Sequence, residues 1–329
     1  MKRLYTIALL LTGSLWAQSS LKVPDRPMRS NPPNASQQYC AGFIARRPIA
    51  RVNHIVASKE APHEDQFAAH SVLFVGGPSL KIEGRYSILR ESSDPNREDF
   101  SPDQEKKLVR LGHRYAEIGW MTVHAVQGDS SVATFDFACD TAIAGDIVVP
   151  YEDKPSIAVR EMDAPIDQFQ PSRGVSGHIW GSKDSIGLLG TGSVVYIDYG
   201  SEKGAKVGDY MFVRRGYSED ELNRVDRLSD RVPRGAAPEA ANPVKITATD
   251  QKQMPSHILG EVLLLDVRET ASTALVMRSL SEIQLGDTVE AEDGAAPVAN
   301  ANAEAAPHAE PCTPSPLWRR ALFLGHKCK

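Results

Sequence analysis

The sequence predicts a mainly β protein: two tandem small β-barrel- or sandwich-like modules related by internal duplication, with a disordered leader and tail. Three observations carry this expectation. The first is a repeat. The run from Ile118-Gly119-Trp120 to Ala144-Gly145-Asp146-Ile147-Val148 aligns without a gap on Leu259-Gly260-Glu261 through Leu285-Gly286-Asp287-Thr288-Val289, at an offset of 141. Val126 meets Val267, Ser131 meets Ser272 and Ala133 meets Ala274. The second is that the repeat extends upstream at another offset. His54-Ile55-Val56-Ala57-Ser58-Lys59 matches His178-Ile179-Trp180-Gly181-Ser182-Lys183 at an offset of 124. That offset also carries Gly76 to Gly200, Gly84 to Gly208, Tyr86 to Tyr210 and Arg90 to Arg214, and sets Val72-Leu73-Phe74-Val75 against Tyr196-Ile197-Asp198-Tyr199. The change from 124 to 141 places 17 extra residues inside the second copy. The third is period: Ala133, Phe135, Phe137 and Cys139 alternate with polar or small residues, as a strand with one face on a core requires.

In chain order, residues 1–17 read as an export signal: Lys2 and Arg3, a short apolar core, and a small residue at Ala17 where cleavage is expected. The core is too short for a permanent span, and no Cys follows it to carry a lipid. Residues 18–38, with Pro24, Pro27, Pro32 and Pro33, read as an unstructured leader. The first module is expected over 39–150 and the second over 176–291, joined by a proline-bearing linker over 151–175. Strand-formers dominate Ser87-Ile88-Leu89-Arg90 and Met211-Phe212-Val213-Arg214. Ser101-Pro102-Asp103-Gln104 opens a helix with the stripe Leu108 and Leu111, and Ser218-Glu219-Asp220-Glu221 repeats the capping logic. The extra residues fall in the Pro- and Ala-rich run 231–243. Gly145-Asp146 and Gly286-Asp287 are read as structural turns, glycine supplying positive φ and Asp accepting from nearby backbone. Residues 292–316 are an Ala- and Pro-rich disordered linker, and 317–329 a short terminal segment that frays or meets a partner.

The 329 residues allow about two domains. Without Lys2 and Arg3 the chain has 35 basic and 42 acidic residues, net −7, which argues against nucleic acid and against anionic membranes. Four cysteines, Cys40, Cys139, Cys312 and Cys328, permit three full pairings. Chain order favours Cys40 with Cys139 and Cys312 with Cys328, in the oxidising periplasm or cell envelope that an export signal implies.

Few residue patterns in the sequence carry chemistry. There is no HExxH, and Gly174-Val175-Ser176-Gly177-His178 has His where a nucleophile elbow needs its second glycine. No cofactor, metal or catalytic residue is expected. His54 and His178 occupy equivalent repeat positions, and with Trp180, Tyr196 and Tyr199 they form a candidate binding surface; the competing reading is repeated strand packing. Trp120 joins the aromatics that a glycan face would use. The expectation is a non-enzymatic exported scaffold that binds an envelope protein through duplicated modules. A peptidoglycan- or glycan-binding protein is the alternative, and an enzyme with an unrecognised site the third.

The second copy, with VVYIDYG, GAKVGDYMFVRR and ILGEVLLLDVRETASTALVMRSLSEIQLGDTVEA, resembles exported bacterial LysM-associated envelope proteins. The same module is similar to the C-terminal domain of the flagellar assembly protein T family. The resemblance covers residues 176–291, and 52–150 through the repeat. It implies a shared fold and, for the LysM association, cell-wall glycan; no stretch of this chain has the strand-helix-helix-strand pattern of a LysM module. It implies no catalytic residues.

Overall fold

A computed structural model describes residues 32–60, 63–78, 80–92, 103–160, 166–174, 176–216 and 255–292. The signal-like start, most of the leader, the 218–221 and 231–243 runs, Cys312, Cys328 and the terminal segment lie outside them. Among the described residues no helix is long and apolar enough to cross a membrane.

The first copy contains α1 (Ala35–Tyr39), β1 (Phe43–Ala45), β2 (Asn53–Ser58), β3 (Gln66–Phe67), β4 (Val72–Gly76), β5 (Arg85–Glu91), α2 (Gln104–Leu111), β6 (His113–Gln127), β7 (Ser130–Ala138), β8 (Ala142–Ile143) and β9 (Ile147–Pro150). The second contains β10 (Gly177–Ser182), β11 (Leu188–Leu189), β12 (Val194–Ile197), β13 (Tyr210–Arg215), β14 (His257–Val267), β15 (Ser272–Ser279), β16 (Ile283–Gln284) and β17 (Thr288–Ala291). The first sheet runs β1-β6-β5-β9-β2-β4-β7 and closes through β6–β7; the second is a closed barrel in the order β10-β12-β15-β14-β13-β17. Leaving out β1, the two circuits of six strands are the same. Closure removes the free edges that short antiparallel strands would otherwise expose.

The strand registers match residue for residue, but they correct the ungapped alignment. Across β2 and β10 the offset is 124, since Asn53 faces Val148 as Gly177 faces Val289. Across β4 and β12 it is 122: Val75 pairs with Ser131 and Ile197 with Ser272. Phe74 therefore corresponds to Tyr196, not to Asp198. Across β5 and β13 it is 125, because Ile88 faces Gly119 and Val213 faces Gly260. Tyr86 corresponds to Met211 and Arg90 to Arg215, so the expected pairs with Tyr210 and Arg214 do not hold. From β6 and β14 onward it is 141. The second copy thus lacks two residues in one loop, gains three in the next, and carries 16 rather than 17 before its long strand.

The interiors correspond in the same way. Ile55, Leu73, Val75, Ile88, Met121, Val123, Phe135, Ala142 and Val148 fill the first barrel. Ile179, Val195, Ile197, Val213, Val262, Leu264, Val276, Ile283 and Val289 fill the second. Phe135 and Ala142 become Val276 and Ile283, a large–small exchange that conserves volume as close packing demands. Register is also pinned by bulges at the same places, between Trp120 and Met121 and between Glu261 and Val262. Gly119 stands beside the first of these because a Cβ there would lie 1.9 Å from the Phe137 carbonyl oxygen; at Gly260 it would lie 2.3 Å from that of Arg278.

Gly145 and Gly286 adopt φ of 92° and 101°, and the following carboxylates are buried. Asp146 accepts from the Ile143 amide at 2.8 Å and from Arg90 Nε and Nη2, both at 2.8 Å. Asp287 accepts from the Gln284 amide at 2.7 Å and from Arg215 at 2.7 and 2.9 Å.

The barrels are joined by more than a linker. Residues expected to belong to a disordered leader form α1, capped reciprocally by Asn34 and Gln37. Helix α1 leads into Cys40, which is bonded to Cys139. Strand β1 pairs with the start of β6 while Ala41 and Gly42 offer their carbonyls to Tyr196 Oη and Thr273 Oγ1, at 3.2 and 2.8 Å. Ile44 and α2 residues Leu108 and Leu111 pack with Tyr196 and Ala271. Helix α2 has Asp103 at its N-cap, in left-handed conformation with no side-chain cap bond; Ser101 and Pro102, expected to open it, lie outside the described residues. Part of the linker also lies on the second barrel, Ile157 and Val159 packing with Leu263, Leu265 and Leu275.

The Cys40–Cys139 bond closes a sequence separation of 99 residues. Non-reducing mass spectrometry is expected to find their peptides joined. Replacing both with Ser is expected to lower the unfolding free energy by about 4 kcal/mol through unfolded-chain entropy; unchanged stability in urea titration would contradict the assignment.

Candidate functional site

The five residues expected to form a surface do not come together. His54 lies half-buried on β2, and His178 on β10 of the other barrel. His178 sits with its ring 5.3 Å from Trp180 and its Nδ1 3.8 Å from Asp198 Oδ2. Burial pushes the Asp198 carboxyl up, but hydrogen bonds from His178 and Trp180 outweigh it and hold the group below its usual range. Trp180 and Tyr196 are buried; Lys107 Nζ caps the Trp180 ring at 3.7 Å. Burial raises the Tyr196 phenol well above its ordinary value. Tyr199 packs half-buried against the second barrel's core. Trp180 and Tyr196 are therefore unavailable as an exposed stacking face. The turns at Gly145-Asp146 and Gly286-Asp287 engage Arg90 and Arg215, as described above. Among the described residues no group of three or more His, Cys, Asp or Glu is placed to hold a metal ion.

Instead the structure opens a cavity of about 330 Å³ on the flank of the first barrel. Its floor is β5, β6 and β9, through Ser87, Leu89, Trp120 and Val149. The N-terminal segment supplies Tyr39, Phe43 and Ile49, the start of the linker Glu152 and Lys154, and the β14–β15 turn Arg268. Trp120 stacks on Phe137 at 4.1 Å and meets Tyr39 edge-on at 5.2 Å. Tyr151 stacks on Tyr39 at 5.9 Å, completing a cluster whose rings show both faces and edges. Burial, then the neighbouring Tyr39, raises the Tyr151 phenol.

The charges lining this cavity are matched. Lys154 Nζ meets Glu117 Oε1 at 2.6 Å, both largely buried, and the Gly42 amide donates to the other carboxylate oxygen at 3.2 Å. Arg268 is held bidentately by Asp266 at 2.7 and 3.0 Å while its guanidinium lies 4.3 Å over Phe43. Of the two lining carboxylates, exposed Glu152 is the one with no ion pair among the described residues.

The corrected register shows that the second barrel has the same flank, built differently. Ser87, Leu89, Trp120 and Val149 correspond to Phe212, Arg214, Glu261 and Glu290. There Arg214 pairs with Glu290 at 2.5 Å in a buried bridge, and Arg160 from the linker pairs with Glu261 at 2.7 Å. Gln170, Pro171 and Arg173 lie across it, leaving about 10 Å³. Of the cavity residues, the sequence pointed to Trp120 alone. The substitution of Ser87 for Phe212 is the signal that would have found the rest, and it is visible only in the true register.

No family model matches the sequence, and no curated protein matches it.

Burial raises the Glu117 carboxyl above its ordinary value, against the opposing pull of Lys154. A carboxyl raised on folding holds its proton more tightly in the folded state. Its contribution is therefore favourable below the unfolded value near 4.5 and is lost as pH rises through the folded one. The stability of Glu117→Gln relative to wild type should rise between pH 4 and neutrality, read by thermal unfolding across about three pH units; a flat or falling difference would contradict this.

Proposed function

We propose that this chain is a non-enzymatic, exported envelope protein that acts as a scaffold, binding a protein partner through its duplicated barrels. One observation carries the reading: a face that is covered on the second barrel is bare on the first. Trp180 and Tyr196 lie beneath α2 and β1. Their counterparts, Val56 and Phe74, are 50% and 38% exposed, with Val52 at 51% beside them. The occupant that fits is an amphipathic helix or strand presenting aliphatic side chains, the chemistry that Leu108, Leu111 and Ile44 bring to the second barrel. The Cys40–Cys139 bond is compatible with an oxidising compartment, and the resemblance to LysM-associated envelope proteins supports the same location.

A second reading, glycan binding at the cell wall, is favoured by the aromatic cavity around Tyr39 and Trp120.

A photo-crosslinker at Val56, introduced in cells producing the native chain, is expected to give one defined adduct. Val56→Glu with Phe74→Glu should weaken that contact at least about tenfold, the cost of one lost anchor, without disturbing the disulfide. No adduct, or an adduct insensitive to both charges, contradicts the partner reading. Turnover of a cell-wall or glycan substrate by the purified protein would overturn its non-enzymatic part.

A further inference from the structure

We infer that the cavity on the first barrel is a saccharide subsite that accepts a neutral pyranose ring, and that Ser87 is the residue that opens it. The inference rests on the glycan reading above and gives it a location and a ligand class.

The flanks descend from one pattern, and in the second barrel that flank is closed by its own chain. Phe212 occupies the position of Ser87, each facing the equivalent residue of the long strand, Glu261 and Trp120. Exchanging a phenyl ring for a hydroxymethyl group removes most of a side chain from the floor. Among the described residues the space is not refilled by neighbours: about 330 Å³ stays open in the first barrel against about 10 Å³ in the second. A cleft of this size lies at the low end of small-ligand sites.

The lining then selects the chemistry. Lys154 is matched by Glu117, and Arg268 by Asp266, so neither cation is free to hold an anionic ligand. An ionic ligand would have to break one of these pairs, leaving its partner uncompensated in a poorly solvated site, which is costly. A wholly apolar ligand would leave the Ser87 hydroxyl and the exposed carboxylate of Glu152 without use. A pyranose ring meets both requirements. Its axial C–H face is apolar and suits the aromatic surface that Trp120 and Tyr39 add to the lining beside their contacts with Phe137, Tyr151 and Lys154, while its hydroxyl rim can donate to Glu152 and exchange hydrogen bonds with Ser87. Phe43 and Leu89 add apolar surface to the lining.

The barrel comparison also supplies the control. Ser87→Phe rebuilds in the first barrel a side chain that the same fold already accommodates at Phe212.

Purified full-length protein is titrated with cellobiose, maltose and the β1,4 disaccharide of N-acetylglucosamine, following tryptophan fluorescence and calorimetric heat. At least one disaccharide is expected to bind saturably. Ser87→Phe should weaken that binding at least about tenfold, or 1.4 kcal/mol, while Phe212→Ser leaves it unchanged. Glu152→Ala, at an exposed position that does not threaten folding, should weaken it too and serves if Phe at 87 is not tolerated. Absence of binding by every disaccharide, or undiminished binding by both Ser87→Phe and Glu152→Ala, overturns the inference. Retention on purified cell-wall sacculi separates the two levels. If wild type and Ser87→Phe are retained alike, glycan binding stands and this site falls; if neither is retained and no disaccharide binds, both fall.

Discussion

Each barrel depends on one buried carboxylate at the turn into its last strand. Asp146 and Asp287 are almost fully enclosed, and a carboxylate in such a place is tolerable only when its oxygens are filled. Arg90 and Arg215 reach across from the neighbouring strand with two parallel N–H donors each, the geometry in which charge-assisted bonds are strongest. The turn's own amide supplies a third bond in both copies. The consequence is mechanical. The last strand, β9 or β17, must sit between its two neighbours for the sheet to close, and the Arg–Asp pair fixes where it enters. Glycine before the Asp allows the chain to turn there with positive φ.

With closure settled, the two barrels were free to diverge on their outer faces, and the divergence follows what covers them. The second barrel is wrapped by the rest of the chain. α2, β1 and the linker take one side through Leu108, Ile44 and Ile157, and the segment around Gln170 takes another. It carries Trp180 and Tyr196 where contact is apolar, and the Arg214–Glu290 pair where polar backbone passes over it. The first barrel is less enclosed by the described residues. Its corresponding surfaces carry Val56 and Phe74, which are exposed, and Ser87, which leaves a cavity. On that flank the N-terminal segment, the start of the linker and the turn carrying Arg268 border the cavity, and the Cys40–Cys139 bond ties the N-terminal segment to the barrel.

Much of this was legible in the sequence, and what was not has a physical reason. Fold class, duplication and the two Gly-Asp turns followed from glycines and a period-two pattern that the backbone itself imposes. The detailed correspondence slipped because a two-residue deletion and a three-residue insertion nearly cancel. Net displacement is one residue, so an ungapped alignment sets Tyr86 on Tyr210 and Arg90 on the first of two adjacent arginines. Hydrogen-bond registers, which no one-dimensional comparison contains, separate Arg214 from Arg215. The aromatics were visible but their burial was not: Trp180 and Tyr196 look like a binding face until α2 is placed over them. The cavity was hidden most completely, because it arises from a missing side chain at Ser87 and from Tyr39, assigned to no face before folding brought it beside Trp120.

The claim that the barrels are true counterparts in the shifted register is most directly tested by double-mutant cycles on Arg90 with Asp146, Arg215 with Asp287, and Arg214 with Asp287, measured by equilibrium unfolding. The account predicts similar coupling of about 2 kcal/mol for the first two pairs and close to zero for the third. Strong coupling between Arg214 and Asp287, or none between Arg90 and Asp146, would contradict it.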